Sequence, residues 1–576
     1  MNNFKKALCL LLALVLLLCA AGCNSKKNST GKKKKNSSKS ATAEISSEVS
    51  SENSTAIDDE DWEDPVDDDD DREIEDPEEE EVFLEANLKL NNASTPLQSS
   101  FLGFNAVYHA YTFRSDKYHR QHSERTAQAE LDAAKKSGIH IARTYFDSQM
   151  LWDAARKKLD YDSDSMQALY RWCGELKKRD IDVLVNYWYA FREIYGEYFG
   201  ADHANKKNTY IKGLKPESIY VEGDVPKTID NFANLMVELV RQLQARGYTN
   251  ARYLSLSTEP GFTAYEYNGI TDPAKLAEIY AKEYLAYANV VNAKLKTAGL
   301  RNAVTIMGPN EGATTTNGGY MMKAVYNLDK EGATDLYSSH SYCNNIDILN
   351  DNFDYWNEDI KLKLQNFGGG KDKFVFDEYN YGQGNALTWR RNNPYFGTQI
   401  ALQQMAVLQN GLKSSFMWTL FDQKWPDSNS NNTSDSWENG VHCWGLLPNY
   451  IVDSQPHPGF YAFQLIANYL GQSGSKIYGC NYGSAAEQSI YCVMSETPDG
   501  SVGVALVNAN ADRAAVTVNF EKALGKTLYR HEFDPAVILK NESNNILPVS
   551  AKISNCKTGF EDILPAYGVT VYTTQK

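Results

Sequence analysis

The chain has 576 residues and a formal net charge of −16, from 58 Lys and Arg against 74 Asp and Glu. Residues 58–81 carry −17 and residues 1–57 carry +6, which leaves −5 for residues 82–576. This nearly balanced body excludes the basic footprint of a nucleic-acid-binding domain, and its length allows more than one domain.

Met1–Gly22 reads as an export segment. Lys5 and Lys6 form a positive n-region, and Ala7–Leu18 is a continuous apolar run too short to span a bilayer comfortably. Ala20-Ala21-Gly22-Cys23 resembles a bacterial lipobox. The resemblance implies cleavage before Cys23, lipid attachment at its thiol and a membrane-anchored place on the bacterial cell surface. A plain signal peptide cut after small residues is the alternative. Residues 24–81 are Lys- and Ser-rich, then strongly acidic, with almost nothing to bury. A disordered tether extended by like charge is expected. Lys32–Lys35 would lie near anionic headgroups, whereas the acidic part reads as a solvated spacer.

Of nine Cys, Cys9, Cys19 and Cys23 belong to the export segment. Cys173, Cys343, Cys443, Cys480, Cys492 and Cys556 are too scattered for a disulfide scaffold, and no CxxC pair suggests zinc. Cys480 and Cys492 could lie on neighbouring strands, which leaves one bridge open.

From Val82 the pattern is one of strands and helices. Val82–Leu90 alternates as a strand does. Leu102–Ala106 then begins a series, followed by a helix over Ser123–Ser137 that Gly138 stops. Ile139–Tyr145, Ile181–Tyr187 and Tyr253–Thr258 are the second to fourth strands. Helices over Asp164–Arg179 and Lys227–Arg246 separate them. After a long helix over Pro273–Ala298 come Ala303–Met307, Leu336–His340, Phe374–Phe376 and Ser415–Thr419, with a last helix over Gly459–Leu470. Eight strand–helix units in tandem predict an α/β fold, a closed parallel (β/α)8 TIM barrel. A doubly wound open sheet competes, but no GxGxxG follows the first strand. Beyond Lys476 the helices stop. Ile477–Gly479, Ser489–Met494, Val502–Asn508, Ala515–Phe520 and Gly568–Thr573 predict a C-terminal antiparallel β-sandwich. The expected units are thus 1–23 (export), 24–81 (tether), 82–98 (a strand joining the sandwich), 99–471 (barrel) and 472–576 (sandwich).

In such barrels, catalytic groups sit at the C-terminal strand ends. Those ends carry Asn105, Arg143, Asn186-Tyr187-Trp188-Tyr189, Thr258-Glu259, Asn310-Glu311, His340-Ser341-Tyr342, Glu378 and Trp418. A carboxylate at the end of a buried strand is costly without a partner or a task. Two of them among aromatic rings suit glycosidic bond cleavage: one protonates the leaving oxygen, the other attacks the anomeric carbon or activates water. No metal-ligand spacing, Ser-His-Asp set or phosphate loop accompanies them.

At these residues the chain resembles the clan A glycoside hydrolases, most closely families 39, 51 and 30, over about residues 82–576. The resemblance implies retaining cleavage of a β-linked glycan, with Glu259 as acid/base and Glu378 as nucleophile. It further implies that Tyr342 hydrogen-bonds the nucleophile and Arg143 keeps it ionised. His340 and Asn186 would contact sugar hydroxyls, and Trp418 would floor the subsite. No cofactor is implied. One position departs: the clan has Asn where Thr258 stands, which opens the alternative of a non-catalytic glycan-binding lipoprotein. Transglycosylation would use the same residues.

Other positions have plainer readings. Glu311 suits a subsite hydroxyl or a loop cap. Asp377 is expected to point away from Glu378, as strand neighbours do. Only one or two of Tyr187, Trp188 and Tyr189 can face the cleft. His109 reads as a loop histidine. The loop from Phe421 to about Pro456 holds Asp422, Trp425, Trp437 and Trp444 and would form a cleft wall. Within it Asp427, Asn429, Asn431, Asp435 and Glu438 have the spacing of a calcium loop, with a polar surface loop as the alternative.

Overall fold

The computed structural model describes residues 84–90 and most of 101–576. Outside it lie 1–83, 91–100, 107–110, 112–123, 189–218, 261–269, 313–317, 344–348, 382–394, 425–436, 439–440, 443–444, 449–455, 482–488, 538–546 and a few single positions. The lipobox, the tether, His109, Trp425, Trp444 and most of the calcium-like loop therefore fall outside the described residues. No described helix is long and apolar enough to cross a membrane.

The barrel strands are β2 (Phe101–Ala106), β3 (Ile141–Phe146), β4 (Asp182–Tyr187), β5 (Tyr253–Ser255), β6 (Thr305–Glu311), β7 (Leu336–Cys343), β8 (Phe374–Tyr381) and β9 (Ser414–Met417), after β1 (Leu84–Leu90). They close in sequence order, β9 pairing with β2, and every pair is parallel. Helices α1 (Glu124–Lys136), α2 (Asp164–Lys177), α3 (Val225–Ala245), α4 (Pro273–Thr297), α5 (Tyr320–Leu328), α6 (Leu349–Phe367), α7 (Tyr395–Asn410) and α8 (Pro458–Tyr469) form the outer layer. Their starts follow from sequence. Asp224 caps α3 by accepting from Lys227 N, and Asp272 caps α4 by accepting from Ala274 N and Lys275 N, each with a Pro in the first turn. Along α3, Phe232, Leu235, Met236, Leu239, Val240 and Leu243 are buried at helical spacing.

The sandwich packs two sheets. β10 (Lys476–Tyr478), β12 (Ile490–Glu496), β13 (Val502–Asn508), β15 (Lys526–Phe533), β16 (Val549–Cys556) and β18 (Val569–Thr573) form one, in the order β10-β12-β13-β18-β15-β16. β11 (Cys480–Asn481), β1, β14 (Ala514–Phe520) and β17 (Gly559–Leu564) form the other, in the order β11-β1-β14-β17. Its pairs are antiparallel except β1 with β14, which run parallel. Four of these strands, the short β11 and β15 to β17, are absent from the sequence reading.

Period-2 alternation explains how the sandwich is seated. Ile490, Cys492 and Met494 of β12 face the sandwich core, whereas Tyr491 and Val493 join the core that includes the barrel helices. Helix α7 is consequently buried on all sides from Phe396 to Leu408. Gly397 permits the close approach, since a Cβ there would come within 2.5 Å of Phe533. The sandwich is thus a buttress on one flank of the barrel.

Candidate active site

The barrel interior is layered. Ile141, Leu184, Met307, Val375 and Phe416 form an apolar layer, with Leu336 and Tyr253 beside it. Two residues further along three of these strands, on the same inward face, stand Arg143, Asn186 and Ser255. Alternation thus lifts a polar layer onto an apolar plug, and Arg143, fully buried, is its centre. Its guanidinium donates to Asn105 Oδ1 (3.2 Å), Asn186 Oδ1 (3.1 Å), Asn310 Oδ1 (2.9 Å), Asp377 O (2.8 Å) and Glu378 Oε1 (2.7 Å). Burial alone would drive the proton off, but Tyr145, Glu378 and Asp377 override it and hold Arg143 charged.

Glu378 lies on β8 with three donors on its carboxylate. Arg143 and Tyr145 OH (3.0 Å) reach Oε1, and Tyr342 OH reaches Oε2 at 2.8 Å. Tyr145, the next inward residue after Arg143 on β3, was missed in the sequence reading; the same two-residue step would have found it. Burial keeps both phenols protonated and therefore available as donors.

Glu259 is placed differently from the expectation. Strand pairing of β5 stops at Ser255, four residues earlier, and Glu259 has φ +42°, in the left-handed region. Hydroxyls replace the missing ladder: Ser255 Oγ donates to Ser257 O and Ser257 Oγ to Pro309 O. Gly312 lies against the Glu259 side chain, where a Cβ would come within 3.2 Å of Cβ and Cγ. Carboxylate oxygens of Glu259 and Glu378 and His340 Nδ1 all lie within 4.8 Å of one another.

His340, on β7, is fully buried. Nδ1 faces Glu259 Oε1 at 2.7 Å and Nε2 faces Asn310 Oδ1 at 3.0 Å. Asn310 Oδ1 also receives Arg143, so it is an acceptor and Nε2 of His340 must donate. Burial would lower the His340 pKa, but Glu378, Asp377 and Glu259 raise it overall. The ring thus stands behind the two carboxylates, bonded within the protein.

Asp377 corrects the alternation argument. The pairing of β8 with β7 shifts between Phe376 and Glu378, a bulge-like irregularity that brings both acidic side chains inward. Asp377 is fully buried, hydrogen-bonded by Asn310 Nδ2 and 3.6 Å from His340 Nε2. Thr258 Oγ1 donates to Tyr187 O (3.0 Å) and accepts from Asn186 Nδ2 (2.7 Å), so these two residues hold each other. Trp188 and Trp418 are half-buried and meet the Tyr145 ring edge-on at 4.5 and 6.0 Å. Tyr187 instead packs beneath, against Phe232. Asp422 is buried and pairs with His457 Nε2 at 2.9 Å.

Glu311 caps α5, accepting from Met321 N at 3.2 Å. Its other oxygen has no hydrogen-bond partner among the described residues. Burial pushes its pKa up to about 8, despite the helix N–H groups and Lys363. A carboxyl raised this way withdraws stability as pH rises from the unfolded value towards the folded one. Glu311→Gln should therefore match the wild type below about pH 4 and exceed it above pH 8, by up to about 5 kcal/mol at ~1.4 kcal/mol per unit between the ordinary 4.5 and about 8. Thermal unfolding across pH checks this; parallel stability curves would refute it.

Among the described residues, Glu259, His340 and Glu378 are the grouping that could hold a metal ion. The Arg143 cation on Glu378 and the existing His340–Glu259 bond oppose a dication there, so the set reads as a hydrogen-bonded carboxylate pair.

No protein-family model matches the chain, and no curated protein matches its sequence. Solved structures do match its fold. The catalytic domain of GH30 xylanase C from Talaromyces cellulolyticus aligns with TM-score 0.56 at 14% identity, covering 85% of this chain and 100% of that one. A GH30 endoxylanase from Clostridium papyrosolvens gives 0.53 at 12%, with 85% and 100% covered. A GH51 arabinofuranosidase from Xanthomonas axonopodis pv. citri gives 0.54 at 12%, again with 85% and 100% covered. The chain thus shares with these structures a fold in which a (β/α)8 barrel is joined to a β-sandwich. At these identities the likeness speaks for the fold, and the chemistry must be argued from the site.

Proposed function

We propose that the protein is a retaining glycoside hydrolase that cleaves a β-linked polysaccharide or oligosaccharide, anchored at a bacterial cell surface through Cys23. The observation that carries this reading is the approach of Glu259 and Glu378, whose carboxylate oxygens come within 4.8 Å. Retaining pairs stand about 5–5.5 Å apart, and inverting pairs about 6.5–9.5 Å. Glu378, held by Arg143, Tyr145 and Tyr342, attacks the anomeric carbon while Glu259 gives its proton to the leaving oxygen. Water then attacks the same carbon, Glu259 takes its proton, and Glu378 is released. His340 Nδ1 shares a proton with Glu259 and orients it. Trp188 and Trp418 offer apolar faces to the sugar ring.

Xylanases and an arabinofuranosidase among the structural neighbours support a plant polysaccharide as substrate. A glycan-binding protein without catalysis is the competing reading, and the close carboxylate pair favours hydrolysis over it. The full chain incubated with a panel of β-linked glycans tests the proposal. New reducing ends support it, and glycan that binds yet stays intact refutes it.

A further inference from the structure

We propose that Cys480 and Cys492 form a disulfide that joins the two sheets of the sandwich. Cys480 belongs to β11 in the four-stranded sheet, where it lies opposite Leu90 of β1. Cys492 belongs to β12 in the six-stranded sheet, opposite Leu506. Cys492 is fully buried in the sandwich core with Leu88 and Leu90, and the half-buried Cys480 packs against that same cluster. The Cys480 thiol lies near enough to Cys492 to contribute to raising its pKa. A bridge needs facing side chains on close backbones, and here the chain leaves one sheet at Asn481 and enters the other at Ile490. Cys556 shares the core, but its thiol donates to Gly559 O at 3.3 Å. Cys173 lies in the barrel core instead.

The two thiols have different tasks in closing the bond. Burial, together with the Cys480 thiol, pushes the Cys492 thiol well above its ordinary range, so Cys480 is the attacking group. Its thiolate attacks one sulfur of an external disulfide and expels the other as a thiolate. Cys492 loses its proton to solvent, attacks Cys480 Sγ and expels the second external thiolate. The protein loses two electrons and two protons, and the external disulfide becomes two thiols. The bridge would fix β11, only two residues long, and through it the pairing of β1.

Treatment of the reduced full chain with oxidised glutathione, followed by peptide mapping without reductant, tests the proposal. The expected result is a Cys480–Cys492 cross-linked peptide and an unfolding midpoint several degrees above that of the reduced protein. Cys492→Ser should stop at a mixed glutathione disulfide on Cys480, and in Cys480→Ser the Cys492 thiol should stay unreacted. Neither variant should show the redox-dependent midpoint. Recovery of both cysteines as thiols from folded, treated wild type overturns the proposal, as does a bridge from either one to Cys556.

Discussion

Glu378→Ala is expected to fold normally and to lose hydrolysis by at least about 10⁴-fold, the scale on which removal of a nucleophile acts, and azide should restore turnover as a glycosyl azide. The physical basis is the set of donors that remains. Arg143, Tyr145 and Tyr342 now hold a carboxylate; without it they surround a space suited to a small anion. Azide placed there can attack the anomeric carbon after Glu259 has protonated the leaving group. Steady-state rates with and without azide, and the identity of the product, check this. Near-normal turnover in Glu378→Ala would refute the assignment, and so would an azide product that appears only in Asp377→Ala.

Arg143→Met should cost about 3–5 kcal/mol of stability, the range for breaking a buried charge pair, and should remove activity as well. The guanidinium is wholly buried and connects five groups from β2, β4, β6 and β8. Without it, Glu378 and Asp377 keep burial and repulsion without the compensating charge. Surface pairs behave otherwise: Arg156, with its side chain 61% exposed beside Asp153, should contribute little, because solvent screens the pair. Denaturant midpoints of Arg143→Met and Arg156→Met measure the contrast. Equal midpoints for the two variants would contradict the central place given to Arg143.

The barrel was legible because each of its strands is a short β-rich run between helical stretches, and their order closes the sheet. Strands β15 to β17 were not, for distinct reasons. In β15 the buried set is Leu528, Arg530, His531 and Phe533, and Arg530 is buried only because Asp562 and Glu532 bind it. Edge strand β16 is exposed or half-exposed up to Cys556, so it lacks alternation. In β17 only Phe560 and Leu564 are buried. At the site, strand-end position pointed to Glu259, Glu378 and Arg143. Asp377 was misplaced because an irregular register breaks the alternation on which the reading relied. The left-handed backbone of Glu259 had no signal in its side chain; the neighbour that accommodates it, Gly312, lies on a different segment.

The central claim is that Glu259 and Glu378 act as a retaining pair. Proton NMR of the anomeric signals, followed from the moment the full chain meets a β-linked oligosaccharide, tests it most directly. The account predicts that the β-anomer of the new reducing end appears first and mutarotates afterwards. Initial release of the α-anomer, or an oligosaccharide that is bound and left uncut, would contradict it.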